Sequence, residues 1–174
     1  MRLMLLRHAK SDWSRPGLSD HDRTLNARGR DAASKVGTYM ASHDLVPDLI
    51  VASTATRVRE TLELALAAFE TAPKVKREAR VYEAEPEMLM EIVQDTPRAV
   101  GTLLLVGHNP GLAELAFLLV ATGKTEARQR LAEKFPTGAL AVIDFALDDW
   151  RKIHPQSGRL DRFVVPRTLK GETD

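Results

Sequence analysis

Three short apolar runs constrain this chain more than any other feature: "RLMLLR" at 2–7, "DLIVAS" at 48–53 and "TLLLVGH" at 102–108. Each is rich in Leu, Val or Ile, and none alternates with polar residues. A strand with one solvated face alternates. An uninterrupted run of this length suits a strand buried on both faces, as in a parallel sheet covered by helices. The segments between the runs have helical period. Residues 25–45 carry Ala33, Val36 and Met40 at helical spacing, and 56–70 place Val58, Leu62, Ala65, Leu66 and Phe69 on one face. Residues 85–95, preceded by a short strand, open with a proline near the first turn; 109–123 start after Asn109-Pro110 and end at Gly123. A further helix is expected near 125–134. The stretch 138–147 alternates and predicts a strand. Residues 162–166 predict a last strand near a sheet edge, paired with it as a hairpin across the polar, turn-rich 148–159.

Strand and helix in alternation predict an α/β domain, a three-layer α/β/α sandwich with a mostly parallel sheet and an antiparallel edge strand. The 174 residues fit a single domain over 1–168, with a flexible tail at 169–174. Net charge is only +1, which argues against broad electrostatic attraction to nucleic acid or membrane. The absence of cysteine excludes disulfides, thiolate catalysis and cysteine zinc sites, and it fits a reducing cytoplasm. No apolar run approaches the ~20 residues of a membrane-spanning helix. A cytoplasmic monomer is expected, without nucleic-acid or membrane partners.

The three strongest strands end in Arg7-His8, Ser53-Thr54 and Gly107-His108, and Arg57 follows one helical turn after the second. Parallel strands bring these ends to one edge of the sheet, where such folds bind ligands. Helix N-termini at that edge favour an anion, and arginine forks match phosphate oxygens. A neutral histidine there can attack phosphorus and carry the phosphoryl group. A second, protonated histidine can stabilise charge on the oxygens, as arginines do. Such chemistry needs neither metal nor cofactor.

His21, between Asp20 and Asp22, raises a metal-hydrolase reading, but no second cluster at ligand spacing supports it, and a polar loop is preferred. His43 and His154 suit a helix end and a turn. Trp13 can line a pocket mouth or pack, Arg59 suits a solvated helix face, and Met88 and Met90 suit packing.

Taken together, these segments resemble the histidine phosphatase superfamily, also called phosphoglycerate mutase-like. "LLRHAKSDWS" resembles its Arg-His-Gly signature, with Ala9 in place of the usual glycine. "STATRVRET" and "LLLVGHNPGL" resemble its second and third segments, and "DRTLNARGRDAA" its connecting segment. Four segments in order are far more specific than an isolated tripeptide. The short chain and "VGHNPG" look most like the small SixA-type phosphohistidine phosphatases. The resemblance implies a phosphoglycerate mutase-like fold with His8 as nucleophile. It makes Arg7 and Arg57 holders of the phosphoryl oxygens and His108 a stabiliser of the transferring group. Ser14, with Ser11 as a neighbouring alternative, and Asn109 would bind substrate, and Glu83 is the positional candidate for a general acid. A histidine leaving group, with a reference pKa of about 6.5, needs less protonation than an alkoxide. The implied substrate is a phosphohistidine on a protein of histidine-phosphotransfer type, with phosphate as product. The alternatives are a small-molecule phosphomonoesterase of the same superfamily and a non-catalytic phosphohistidine-binding module.

Overall fold

A computed structural model describes residues 1–169. Its strands are β1 (Arg2–Arg7), β2 (Leu49–Ala52), β3 (Lys74–Arg77), β4 (Thr102–Gly107), β5 (Val120–Gly123), β6 (Leu140–Phe145) and β7 (Gly158–Val164). They form one seven-stranded sheet in the order β3-β2-β4-β1-β6-β7-β5. β1 runs parallel to β4 from Arg2 opposite Thr102 to Arg7 opposite Gly107, and β2 runs parallel to both β4 and β3. The antiparallel member is β6, which opposes β1 on one side and β7 on the other. β5 then adds parallel to β7, so the sheet continues outward beyond β6.

The uninterrupted apolar runs are buried on both faces. Leu3 to Leu6 and Leu103 to Val106 are at most 1% exposed. Their side chains alternate between two cores, as the two-residue period of a strand requires. Leu3, Leu5, Leu103 and Leu105 pack with α3 (Pro86–Gln94), α4 (Gly111–Leu119) and α5 (Thr125–Glu133). Met4, Leu6, Leu104 and Val106 pack with α1 (Ala27–Ser42) and α2 (Thr56–Leu66). This is the three-layer sandwich. α1 starts at Asn26, whose side chain accepts from the Gly29 amide at 2.8 Å. Gly29 also lets α1 press on the loop after β1: a Cβ there would lie 2.1 Å from the Lys10 carbonyl oxygen.

Two expectations change. The helix over 109–123 stops at Leu119, and Val120–Gly123 forms β5 instead. A short apolar run after a helix does not declare its own period, and here pairing with β7 decides it. Gly123 has φ 141°, and a Cβ on it would lie 2.7 Å from the Leu160 carbonyl oxygen, so glycine marks this strand end rather than a helix stop. The final strand also begins earlier than 162, at Gly158, and takes part of the expected hairpin loop. The rest of that loop is anchored by Trp150, which is fully buried and donates through Nε1 to the Val100 carbonyl at 2.7 Å. The expected tail, Leu169 apart, lies outside the described residues. Among those described, no helix is long and apolar enough to cross a membrane.

Candidate active site

Parallel register delivers the three strand ends to one edge. The His8 amide donates to the Gly107 carbonyl at 3.2 Å, and the Ser53 amide to the Val106 carbonyl at 3.1 Å. The chain therefore stays tied to β4 just where each strand stops. The His8 and His108 rings come within 5.1 Å, centroid to centroid. Arg7, His8, Arg57, His108 and Asn109 all line one crevice of about 530 Å³.

His8 is held in one orientation. Its Nδ1 lies 2.7 Å from the Ala9 carbonyl, which can only accept, so Nδ1 carries the proton and Nε2 keeps a lone pair. The Arg57 Nε–H group faces that Nε2 at 3.4 Å. Ala9 is fixed in turn: its amide donates to Thr61 Oγ1, and the Thr61 hydroxyl donates to the Arg57 carbonyl. Burial, with smaller contributions from the charges of His108, Arg57 and Arg7, pushes the His8 pKa down to about 3, against an opposing pull from the bond to the Ala9 carbonyl. At neutral pH this is an uncharged imidazole, 7% exposed.

His108 Nε2 lies 2.8 Å from Ser53 Oγ, and its Nδ1 lies 3.4 Å from Arg57 Nη2. Burial and then Arg57 lower its pKa to about 4, against an opposing pull from Asp20. Arg57 is engaged on all sides. Nη1 donates to the Asp20 carbonyl at 2.7 Å, and Nη2 to Asp20 Oδ2 at 3.1 Å. The same carboxylate accepts from the Tyr82 hydroxyl and from Arg23 Nε. The Tyr82 bond, then Arg57 and Arg23, hold the Asp20 pKa down at about 2. Burial and this bond raise Tyr82 to about 12.

Arg7 stands differently. Its Nη1 donates to the Phe135 carbonyl at 3.0 Å, and Asn109 Nδ2 donates to the same oxygen at 2.8 Å. Among the described residues, Arg7 Nε and Asn109 Oδ1 are buried without a hydrogen-bond partner. A buried polar atom left unpaired costs stability, and such groups concentrate where a ligand completes them.

The remaining sequence candidates fall in different places. Ser14 is exposed, does not line the crevice, and donates its amide to Asp12 Oδ1 at 2.8 Å. Ser11 does line it, and its hydroxyl accepts from Arg23 Nη1 at 2.6 Å. Glu83 is exposed, has a left-handed backbone with φ 56°, and does not line the crevice. Its place is the turn that leads from the short 3-10 segment Ala79–Val81 into α3. Trp13 lines the crevice and is 76% exposed, with the Arg23 guanidinium 3.5 Å above its ring. His21 bridges to Thr54 Oγ1 at 2.9 Å, its ring set edge-on to Tyr82. His43 stacks on Tyr39 at the end of α1, and Arg59 pairs with Glu63 along α2. Sequence reasoning passed over Asp20, Arg23, Tyr82 and the Phe135 carbonyl. The one available signal was "SDHDR", where two acids flank a histidine and the stretch runs into the start of the connecting segment at Asp22.

The profile of the histidine phosphatase superfamily (branch 1) matches residues 3–99. An uncharacterized protein of Mycobacterium tuberculosis (strain ATCC 25618 / H37Rv) is 36% identical over 164 residues, covering 93% of this chain and 100% of the relative. Among solved structures, the Agrobacterium tumefaciens protein assigned as a phosphohistidine phosphatase SixA superposes with a TM-score of 0.80 at 32% identity, over 95% of this chain and 97% of its own. A protein histidine phosphatase SixA complexed with tungstate superposes with a TM-score of 0.78 at 19% identity, over 98% of this chain and 100% of its own. At that identity the likeness concerns the fold alone.

Proposed function

Because the chain belongs to the histidine phosphatase superfamily, we propose that it is a phosphatase that removes phosphate from phosphohistidine on a protein through a covalent intermediate on His8. The observation that carries the mechanism is the bond from His8 Nδ1–H to the Ala9 carbonyl, which leaves the Nε2 lone pair in the crevice beside Arg57. In the first step Nε2 bonds to phosphorus, and the bond from phosphorus to the substrate imidazole breaks. The departing nitrogen takes its electron pair and a proton. In the second step a water oxygen bonds to phosphorus and the bond to Nε2 breaks. Phosphate leaves, the water proton passes to solvent, and neutral His8 returns.

Arg7 and Arg57 carry the charge of the phosphoryl oxygens, and His108 becomes protonated when a dianion enters beside it, because opposite charge raises a histidine pKa. Glu83, which does not line the crevice, is given no part in this reading. An imidazole with a reference pKa of about 6.5 departs with a proton from solvent. Ser11 takes the position by the phosphate for which Ser14 was the sequence candidate. A cysteine-free chain suits work in the cytoplasm. The test is a substrate panel with wild type and His8→Ala. Phosphohistidine peptide is expected to exceed sugar phosphates and nucleotides in kcat/KM, with EDTA without effect. A clear preference for a sugar phosphate or nucleotide replaces this reading with a small-molecule phosphomonoesterase.

A further inference from the structure

The catalytic crevice shares a wall with a second cleft of about 390 Å³, bounded by α1, the end of α5 and the 3-10 turn Pro166–Thr168. Lys10, Lys134, Pro136 and Thr137 line both. The second cleft carries six cations, Lys10, Arg28, Lys35, Arg130, Lys134 and Arg167, against two carboxylates, Asp31 and Glu133. The whole chain is only +1, so this is a local concentration of charge rather than a reflection of bulk composition. Asp31 is already paired with Lys35 at 2.8 Å. Among the described residues, Lys10, Arg28 and Lys134 have no carboxylate at ion-pair distance.

Both walls are fixed to the catalytic loop. Arg28 and Lys35 share one face of α1 at helical spacing. α1 is tied to that loop where the Asn26 amide donates to the Lys10 carbonyl at 3.0 Å and where Gly29 packs on it. On the other wall, Lys134 immediately precedes Phe135, whose carbonyl holds Arg7 and Asn109. A charged group seated in this cleft is therefore held at a fixed offset from His8. The cations come from separate walls, Arg28 and Lys35 from α1, Arg130 from α5 and Arg167 from the 3-10 turn, which suits several carboxylates on a surface better than one compact anion.

We propose that this cleft docks carboxylates that flank the phosphohistidine of the protein substrate, while the phosphoryl group enters the crevice at His8. The proposal rests on the phosphohistidine reading above. It names Arg28, Lys35 and Arg167 as specificity residues that take no part in the chemistry.

The test uses two synthetic peptides, each with one histidine phosphorylated by phosphoramidate, flanked by Glu in one and by Gln in the other. p-Nitrophenyl phosphate serves as a substrate too small to reach the cleft. Wild type is compared with the variant Arg28→Ala/Lys35→Ala/Arg167→Ala. These side chains are exposed or half-buried, and a thermal melt checks the fold. Wild type is expected to favour the Glu peptide by about tenfold in kcat/KM, through KM, with the preference fading as salt rises. The variant is expected to treat both peptides alike and to turn over p-nitrophenyl phosphate at the wild-type rate. No preference in wild type, or a preference that survives in the variant, overturns the proposal. A wild type that hydrolyses p-nitrophenyl phosphate but neither peptide overturns the phosphohistidine reading instead. The cleft is then judged by competition: the unphosphorylated Glu peptide must inhibit p-nitrophenyl phosphate turnover in wild type and not in the variant. Equal inhibition, or none, counts against it.

Discussion

The two arginines of the crevice are neighbours in space and opposites in their bonding. Arg57, on α2, spends Nη1 and Nη2 on Asp20 and turns Nε toward His8. Among the described residues, the guanidinium of Arg7, at the end of β1, makes one hydrogen bond, to the Phe135 carbonyl, and its Nε is buried and unpaired. Arg57 is thus held by the protein before any substrate arrives. Arg7 keeps donor capacity that a bound anion can use. Preorganised charge acts without reorganising during the reaction, and an uncommitted buried donor supplies binding. Under the proposed mechanism, this difference gives Arg57 chiefly to the transition state and Arg7 chiefly to the bound phosphoryl group.

The largest effect lies at the group both arginines serve. His8→Ala is expected to lower turnover by at least about 10⁴-fold while the thermal melt stays near wild type, because loss of a nucleophile removes the whole covalent route. Residual activity above that level places the chemistry elsewhere. The arginines come next. Arg7→Ala and Arg57→Ala are each expected to lower kcat/KM by about 10²–10³-fold, and the split between parameters separates them. The Arg7 variant should lose more in KM and in affinity for inorganic phosphate, read by calorimetry, and the Arg57 variant more in kcat. An identical split in both variants breaks the comparison. Asp20→Asn, which loosens Arg57 without touching Arg7, is expected to cost about tenfold in kcat with phosphate affinity little changed. An increase in activity in that variant means that Asp20 competes with substrate for Arg57 instead of positioning it.

The smallest effect is on stability against pH. His8 and His108 have folded pKa values of about 3 and about 4, below the unfolded value of about 6.5. The unfolded chain therefore takes up protons first as pH falls. The contribution of these neutral histidines is complete above pH about 6.5 and is lost progressively toward pH 4 and then 3. Denaturant midpoints between pH 7 and pH 4 should fall more steeply for wild type than for a His8→Ala/His108→Ala variant. Parallel slopes contradict the depressed values. Bound phosphate should flatten the wild-type slope as well.

What the sequence made legible follows a physical pattern. The buried parallel strands were readable because residues such as Leu3 to Leu6 and Leu103 to Val106 must be apolar on both faces. Arg7, His8, Arg57 and His108 were readable because each sits at or one turn beyond such a strand. β5 was not readable, since Val120–Gly123 follows a helix without a break in hydrophobicity and becomes a strand only by pairing with β7. Asp20 and Tyr82 were not readable either. They are 62 residues apart and meet at Arg57 through tertiary folding, which no local period reports. Ser14 and Glu83 were placed by position along the chain alone, and neither is among the residues that line the crevice.

The central claim is that His8 attacks through Nε2 because Nδ1 is committed to the Ala9 carbonyl. Alkaline quenching of the enzyme during turnover, followed by peptide mapping and phosphorus NMR, locates the phosphoryl group and identifies the substituted ring nitrogen. The structure predicts a phosphoenzyme on His8 with phosphorus on Nε2. A phosphoryl group on Nδ1, on another residue, or on no residue at all in a turning-over sample contradicts it.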